Sequence, residues 1–172
     1  MFGMFRIYSM SEDFMNSSFQ EVGYLAQLHS EMGAIRQYEK DMIIGYEKPE
    51  AVKAAHTKWL ESQENAKKVA NQFLQGEEDV DNAVVRDIIK RLDSYKEAFA
   101  HVARQLEAGG YDTATIANRM SGKAVAEFDE ADKLLKELDG VLRGEVTAAV
   151  ADQHEVSRSA VRRVGQAWVN IG

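Results

Sequence analysis

Three short interruptions set what this chain can become. They are Gly45-Tyr46-Glu47-Lys48-Pro49, Gln75-Gly76-Glu77-Glu78-Asp79 and Gly109-Gly110-Tyr111-Asp112. Between them no strand-like alternation survives for more than a few residues, and apolar residues recur three or four apart, the period of a half-buried helix. The pattern predicts an all-α chain of one domain, residues 1–172, with helices at about 11–46, 49–75, 80–108 and 112–169. Their order is long, short, short, long. In an up-down-up-down antiparallel four-helix bundle, that order lets the first and last helices overrun the middle pair at one end. Both termini then leave together as a stalk, the shape of a module mounted on a larger body such as a membrane.

The stripes support this division. Phe14, Leu25, Leu28, Met32, Ile35, Met42 and Tyr46 mark the first helix, and Ser18, Glu21 and Glu39 interrupt its apolar face. Pro49 suits the first turn of the second helix, where its missing N–H costs nothing; Val52, Ala55, Trp59, Ala66, Val69 and Phe73 follow. Asp79 or Asp81 is placed to cap the third helix, whose stripe is Val84, Ile88, Leu92, Tyr95, Phe99, Val102 and Leu106. Gly109-Gly110 ends it, because glycine takes the left-handed conformation cheaply. The fourth helix starts near Asp112 or Thr113. Its seam runs through Ile116, Met120, Ala124, Phe128, Ala131, Leu135, Leu138, Leu142 and Val146 to Val156, Ala160, Val164 and Trp168. So long a seam exceeds what two shorter neighbours can cover; the excess must pair with the other overhanging helix, with a second copy of the chain, or with both, and its coiled-coil-like period supports a homodimer.

Composition narrows the function. The net charge of −7 argues against a nucleic-acid partner, which needs a basic stripe. The lack of cysteine removes disulfides, thiolate metal sites and thiol nucleophiles. No window has the roughly 18 apolar residues of a membrane span, and Met1-Phe2-Gly3-Met4-Phe5 lacks the basic leader of a signal peptide. The chain is then either complete and cytoplasmic or a piece of something larger. In the second case Met1–Phe5 reads as the last turn of a membrane helix. Trp168, Val169 and Ile171 read as the approach to another, since tryptophan favours the interface.

Enzyme signatures are missing. There is no phosphate-cradling glycine loop, nucleophile elbow or metalloprotease helix. The Glu-x-x-His pair of di-iron bundles fails at all four histidines: Ala26, Lys53, Ala98 and Ala151 stand three before His29, His56, His101 and His154. No enzyme activity, metal or other cofactor is expected. Counted from the loop end opposite the termini, Glu39, His56, His101 and Arg119 fall at one height, with Arg36, Lys40, Arg104, Thr115 and Asn118 within about a turn. Trp59, Tyr95 and Phe99 lie just below. A cationic layer over aromatic rings suits a small organic anion, because arginine pairs a carboxylate bidentately. Each of these charged residues also fits a solvated surface. By phase Arg119 and Lys40 face outward and Arg91 and Tyr95 inward. His56 and His101 lack the inward carboxylates that a metal site would need.

The run Ile35-Arg36-Gln37-Tyr38-Glu39-Lys40-Asp41-Met42-Ile43-Ile44, the later Lys58-Trp59, and the run Thr113-Ala114-Thr115-Ile116-Ala117-Asn118-Arg119-Met120 carry a resemblance. They look like the ligand-binding region of bacterial methyl-accepting chemotaxis receptors of the four-helix-bundle class. The resemblance implies the periplasmic sensor domain of an inner-membrane receptor, homodimeric, that binds a small carboxylate and passes a small piston-like shift of the fourth helix to the membrane. Carried onto this chain, Arg36 would anchor the carboxylate. Thr113 and Thr115 would supply hydroxyl or backbone contacts. Arg91 and Tyr95 would line a pocket within the bundle, and Arg104 completes the candidate ligand-binding set. The alternative is a structural or protein-binding helical bundle with no small-molecule ligand.

Overall fold

A computed structural model describes residues 12–76 and 80–171, with side chains placed for 17–76, 80–148 and 150–151. The described chain is helical apart from its connections. The elements are α1 (Glu12–Ile44), α2 (Pro49–Leu74), α3 (Val80–Glu107), α4 (Ala114–Met120) and α5 (Gly122–Ile171). No strand occurs among the described residues. α1 packs along α2 and α5, α3 also packs along α2 and α5, and the short α4 touches α1, α3 and α5. The apolar stripes of the four longer helices meet in one core that includes Leu28, Ile35, Trp59, Tyr95, Phe99, Phe128 and Leu135.

The helix ends follow local chemistry. Lys48 is extended and Pro49 occupies the first turn of α2, so the ring replaces an N–H that had no helical partner. At the end of α3, Gly109 has φ +69. Its N–H bonds to Leu106 O at 3.1 Å, and Gly110 N–H bonds to Gln105 O at 2.7 Å. This crossed pair satisfies the last carbonyls of the helix and requires the left-handed residue that glycine supplies. Of the two caps expected for α3, Asp79 lies outside the described residues. Asp81 sits buried inside the first turn of α3 rather than before it.

One expected helix is two. The segment read as a single fourth helix breaks at Ser121. The Ser121 N–H is shared between Ala117 O (3.2 Å) and Asn118 O (3.3 Å), and its Oγ donates to Asn118 O at 2.7 Å. Back-bonding by a serine hydroxyl, next to a glycine that favours helix weakly, is a known cause of a helix break. The break also resets the phase. Ala117 turns inward, while Ile116 and Met120, both expected in the seam, are exposed. Beyond it α5 continues through Gly140 and Gly144 for 50 residues, roughly 75 Å at helical rise. The 26 residues of α2 and 28 of α3 span roughly 40 Å.

Several expectations fall outside the described residues: Met1–Phe5, and the side chains of Phe14, Val156, Ala160, Val164, Trp168, Val169 and Ile171. Among the described residues no helix is long and apolar enough to cross a membrane.

Candidate functional site

Glu39 is a buried acid on the core face of α1. It stands four residues after Ile35 and three before Met42, both fully buried, so helical geometry turns its carboxylate into the apolar face of α1. Only 2% of it is exposed. A carboxylate in that position is costly unless both oxygens are bonded, and both are. Arg36, one turn back on α1, donates from Nη1 to Oε2 at 2.6 Å. Tyr95 of α3 donates its hydroxyl proton to Oε1 at 2.9 Å. The Tyr95 oxygen in turn accepts from the indole Nε1 of Trp59 on α2 at 2.8 Å.

The fourth long helix joins through an aromatic ring. The Arg36 guanidinium carbon lies 5.5 Å from the centroid of Phe128 on α5, within range of a cation–π attraction. Phe128 meets Tyr95 edge-on at 5.3 Å, and Trp59 tilts against Tyr95 and Phe99 at 5.8 and 5.4 Å. One cluster therefore takes a side chain from each of α1, α2, α3 and α5.

Its electrostatics follow from burial. Desolvation pushes the Glu39 carboxyl above its ordinary value of 4.5; Arg36, the Tyr95 hydroxyl and Lys40 pull in the other direction and offset part of that. Desolvation, and then the Glu39 charge, hold the Tyr95 phenol well above its ordinary value. Tyr95 is therefore a donor throughout the neutral range.

The six expected ligand-binding residues divide. Arg36 and Tyr95 come together on Glu39. Arg91, one turn from Tyr95 on α3, instead pairs with Glu127 of α5 at 3.0 Å, and this bond raises its pKa. Arg104 is exposed, with Nη2 2.9 Å from His101 Nδ1. Thr113 uses its hydroxyl to cap α4, accepting from Ile116 N–H at 3.1 Å. Thr115 is exposed on α4. His56 sits 2.5 Å from Glu107 through Nδ1 and is not joined to His101. No cluster of three metal-ligating side chains occurs among the described residues.

Sequence reasoning placed Glu39 in the polar layer but left it, Trp59 and Phe128 out of the ligand set. The signal for Glu39 was available: an acid at a core phase of an otherwise apolar stripe. A cavity of about 20 Å³ lies between α2 and α3, beside Gln63, Lys67, Asp93 and Lys96. Gln63 Nε2 is buried there without a hydrogen-bond partner. That volume admits one water, not a carboxylate ligand. Compared with known proteins, the chain matches no family model, no curated protein and no solved structure.

Proposed function

We propose that the chain is the extracytoplasmic ligand-sensing domain of a transmembrane chemoreceptor, that it binds a small organic carboxylate, and that it works without catalysis of its own. In this reading α1, α2, α3 and α5 form an up-down-up-down antiparallel bundle. The four-residue link between α1 and α2 and the way each long helix packs on two others support that arrangement. α4 then caps the distal end, and both termini leave at the other.

The observation that carries the reading is the length of α5. Its first half packs in the core, and at 50 residues it is 22 longer than α3 and 24 longer than α2. A continuous helix transmits an axial shift of 1–2 Å over such a distance. A ligand that favours one offset of α5 over another would shift that equilibrium by its differential binding energy and no more. The resemblance to chemotaxis receptors in the 35–44 and 113–120 runs points the same way. The overhanging part of α5 would pair with a second copy, giving a homodimer. The ligand anchor is Arg36, because it is the one cation of the buried cluster and is a quarter exposed.

The test is a thermal-shift panel of di- and tricarboxylates, amino acids and aromatic acids. A ligand specific to the folded state raises Tm by mass action, by about 2.7 kcal/mol of stability at a hundredfold excess over Kd. Arg36→Ala should abolish the shift with helical circular dichroism retained. A flat response from every compound would refute the sensing reading.

A second reading, a protein-binding or purely structural bundle, has one observation in its favour. Arg36, Arg91 and Arg104 all have partners within the chain. A flat panel together with a tight homodimer would favour it.

A further inference from the structure

The Arg36–Glu39 contact resembles a bound ligand supplied by the protein itself. The carboxylate that an external acid would bring to Arg36 is already supplied by Glu39, 2.6 Å away and buried, while the guanidinium is a quarter open to solvent. The contact uses only Nη1, so Nε and Nη2 remain for a second carboxylate. Such a ligand would meet two obstacles. It would compete with Glu39 for one cation, and it would place two carboxylates around a single guanidinium beside the apolar rings of Phe128, Tyr95 and Trp59. Like charges that share a buried site do not both stay ionised.

Building on the carboxylate-sensing reading above, we propose that an external carboxylate docks on Arg36 only as Glu39 takes up a proton from solvent, so that this site registers a carboxylate and a proton together. Arg36 and Glu39 form a neutral pair. Adding an anion leaves one uncompensated negative charge, and one proton on Glu39 restores neutrality. Protonated Glu39 stays in place, since its Oε1 still accepts from Tyr95, and Arg36 is freed to turn its fork outward.

Among the described groups that act on Glu39, none but its own carboxyl is able to take up that proton. α1 contributes Arg36 and the exposed Lys40, both cations; α3 contributes Tyr95, already protonated; α2 and α5 contribute the uncharged Trp59 and Phe128. His56 stacks beside Trp59 at 5.7 Å between ring centroids but is engaged by Glu107. The burial-driven rise of the Glu39 pKa acts in the same direction.

Calorimetric titration of the intact chain with benzoate, pyruvate and L-aspartate tests this, since all three stay ionised above about pH 6. For wild type the expected result is uptake of one proton, read from the dependence on buffer ionisation heat. In titrations between about pH 6 and 8, affinity should fall as pH rises above the folded-state pKa of Glu39, approaching roughly tenfold per pH unit where the free carboxyl is ionised. Glu39→Gln should bind without pH dependence, and more tightly than wild type at the upper end. Glu39→Ala serves if the glutamine variant fails to fold by circular dichroism. Binding by the variant with none by wild type, even at the acid end of the range, overturns the proton coupling and leaves Glu39 only as a block on Arg36. Wild-type binding with no proton uptake and unchanged affinity in the variant overturns the coupling and leaves the sensing reading intact. Wild-type-like binding by Arg36→Ala overturns the placement at Arg36. No binding by folded wild type or variant overturns both.

Discussion

Two arginine–glutamate contacts in this protein use the same chemistry in different settings. Arg36–Glu39 lies within one helix at 2.6 Å with the carboxylate buried; Arg91–Glu127 joins α3 to α5 at 3.0 Å with 40% and 28% of the side chains exposed. In the first, water has been removed from one ion, and the neighbours must replace it bond for bond. In the second, solvent already screens both charges, and the attraction is close to what water would return. The bridge that joins two helices is thus energetically the weaker, while the local pair, extended by Tyr95 and Trp59, ties α1 to α3 and α2. Distance in sequence is a poor guide to which ion pair matters. Burial is a better one.

Three substitutions sharpen this contrast. Tyr95→Phe should have the largest effect. Tyr95 is fully buried, and losing its hydroxyl strands both a charged oxygen of Glu39 and the Trp59 N–H, a loss of about 3 kcal/mol in chemical denaturation. Arg36→Ala should cost less, about 2 kcal/mol and roughly 5 °C in Tm at neutral pH, because water can enter where the guanidinium was. Its pH dependence follows from the raised Glu39 pKa. A carboxyl whose folded pKa lies above its unfolded value of 4.5 contributes stability that is fully present below 4.5 and is lost as pH rises through the folded value. Removing Arg36 raises that folded value further. The deficit of the variant should therefore shrink as pH falls toward 4.5, and a deficit that does not change with pH would break the argument. Arg91→Ala should be smallest, with no resolvable change in Tm at physiological salt. A loss equal to that of Arg36→Ala would erase the distinction between the two pairs.

Much of the fold was legible because the signals were local. Pro49 and Gly109 dictate backbone geometry on their own, and the boundaries near them fell within two residues of expectation. The Ser121 break was not legible. It depends on a hydroxyl choosing a carbonyl in its own helix over solvent, and serine in a helix more often does not. Missing it carried Ile116 and Met120 into the wrong phase. At the candidate site, Glu39 announced itself as an acid on an apolar stripe, and Trp59 and Tyr95 lay on their own stripes. That these three meet was not readable, because the rotation of α1, α2 and α3 about their axes is set by packing across the core. Arg104 and Thr115 matched in height but not in direction, and height was all the sequence supplied.

In the sensor proposed above, the joint at Ser121 would also decide where a push on the long rod can begin. α4 and α5 are separate helices that meet at Ser121, so a molecule held by Thr113 or Thr115 would act on α5 only through that joint. Phe128 lies beyond that joint, on α5, with the Arg36 guanidinium carbon 5.5 Å from its ring centroid. In that sensor, a change in how Arg36 rests on the ring would reach α5 without crossing the joint.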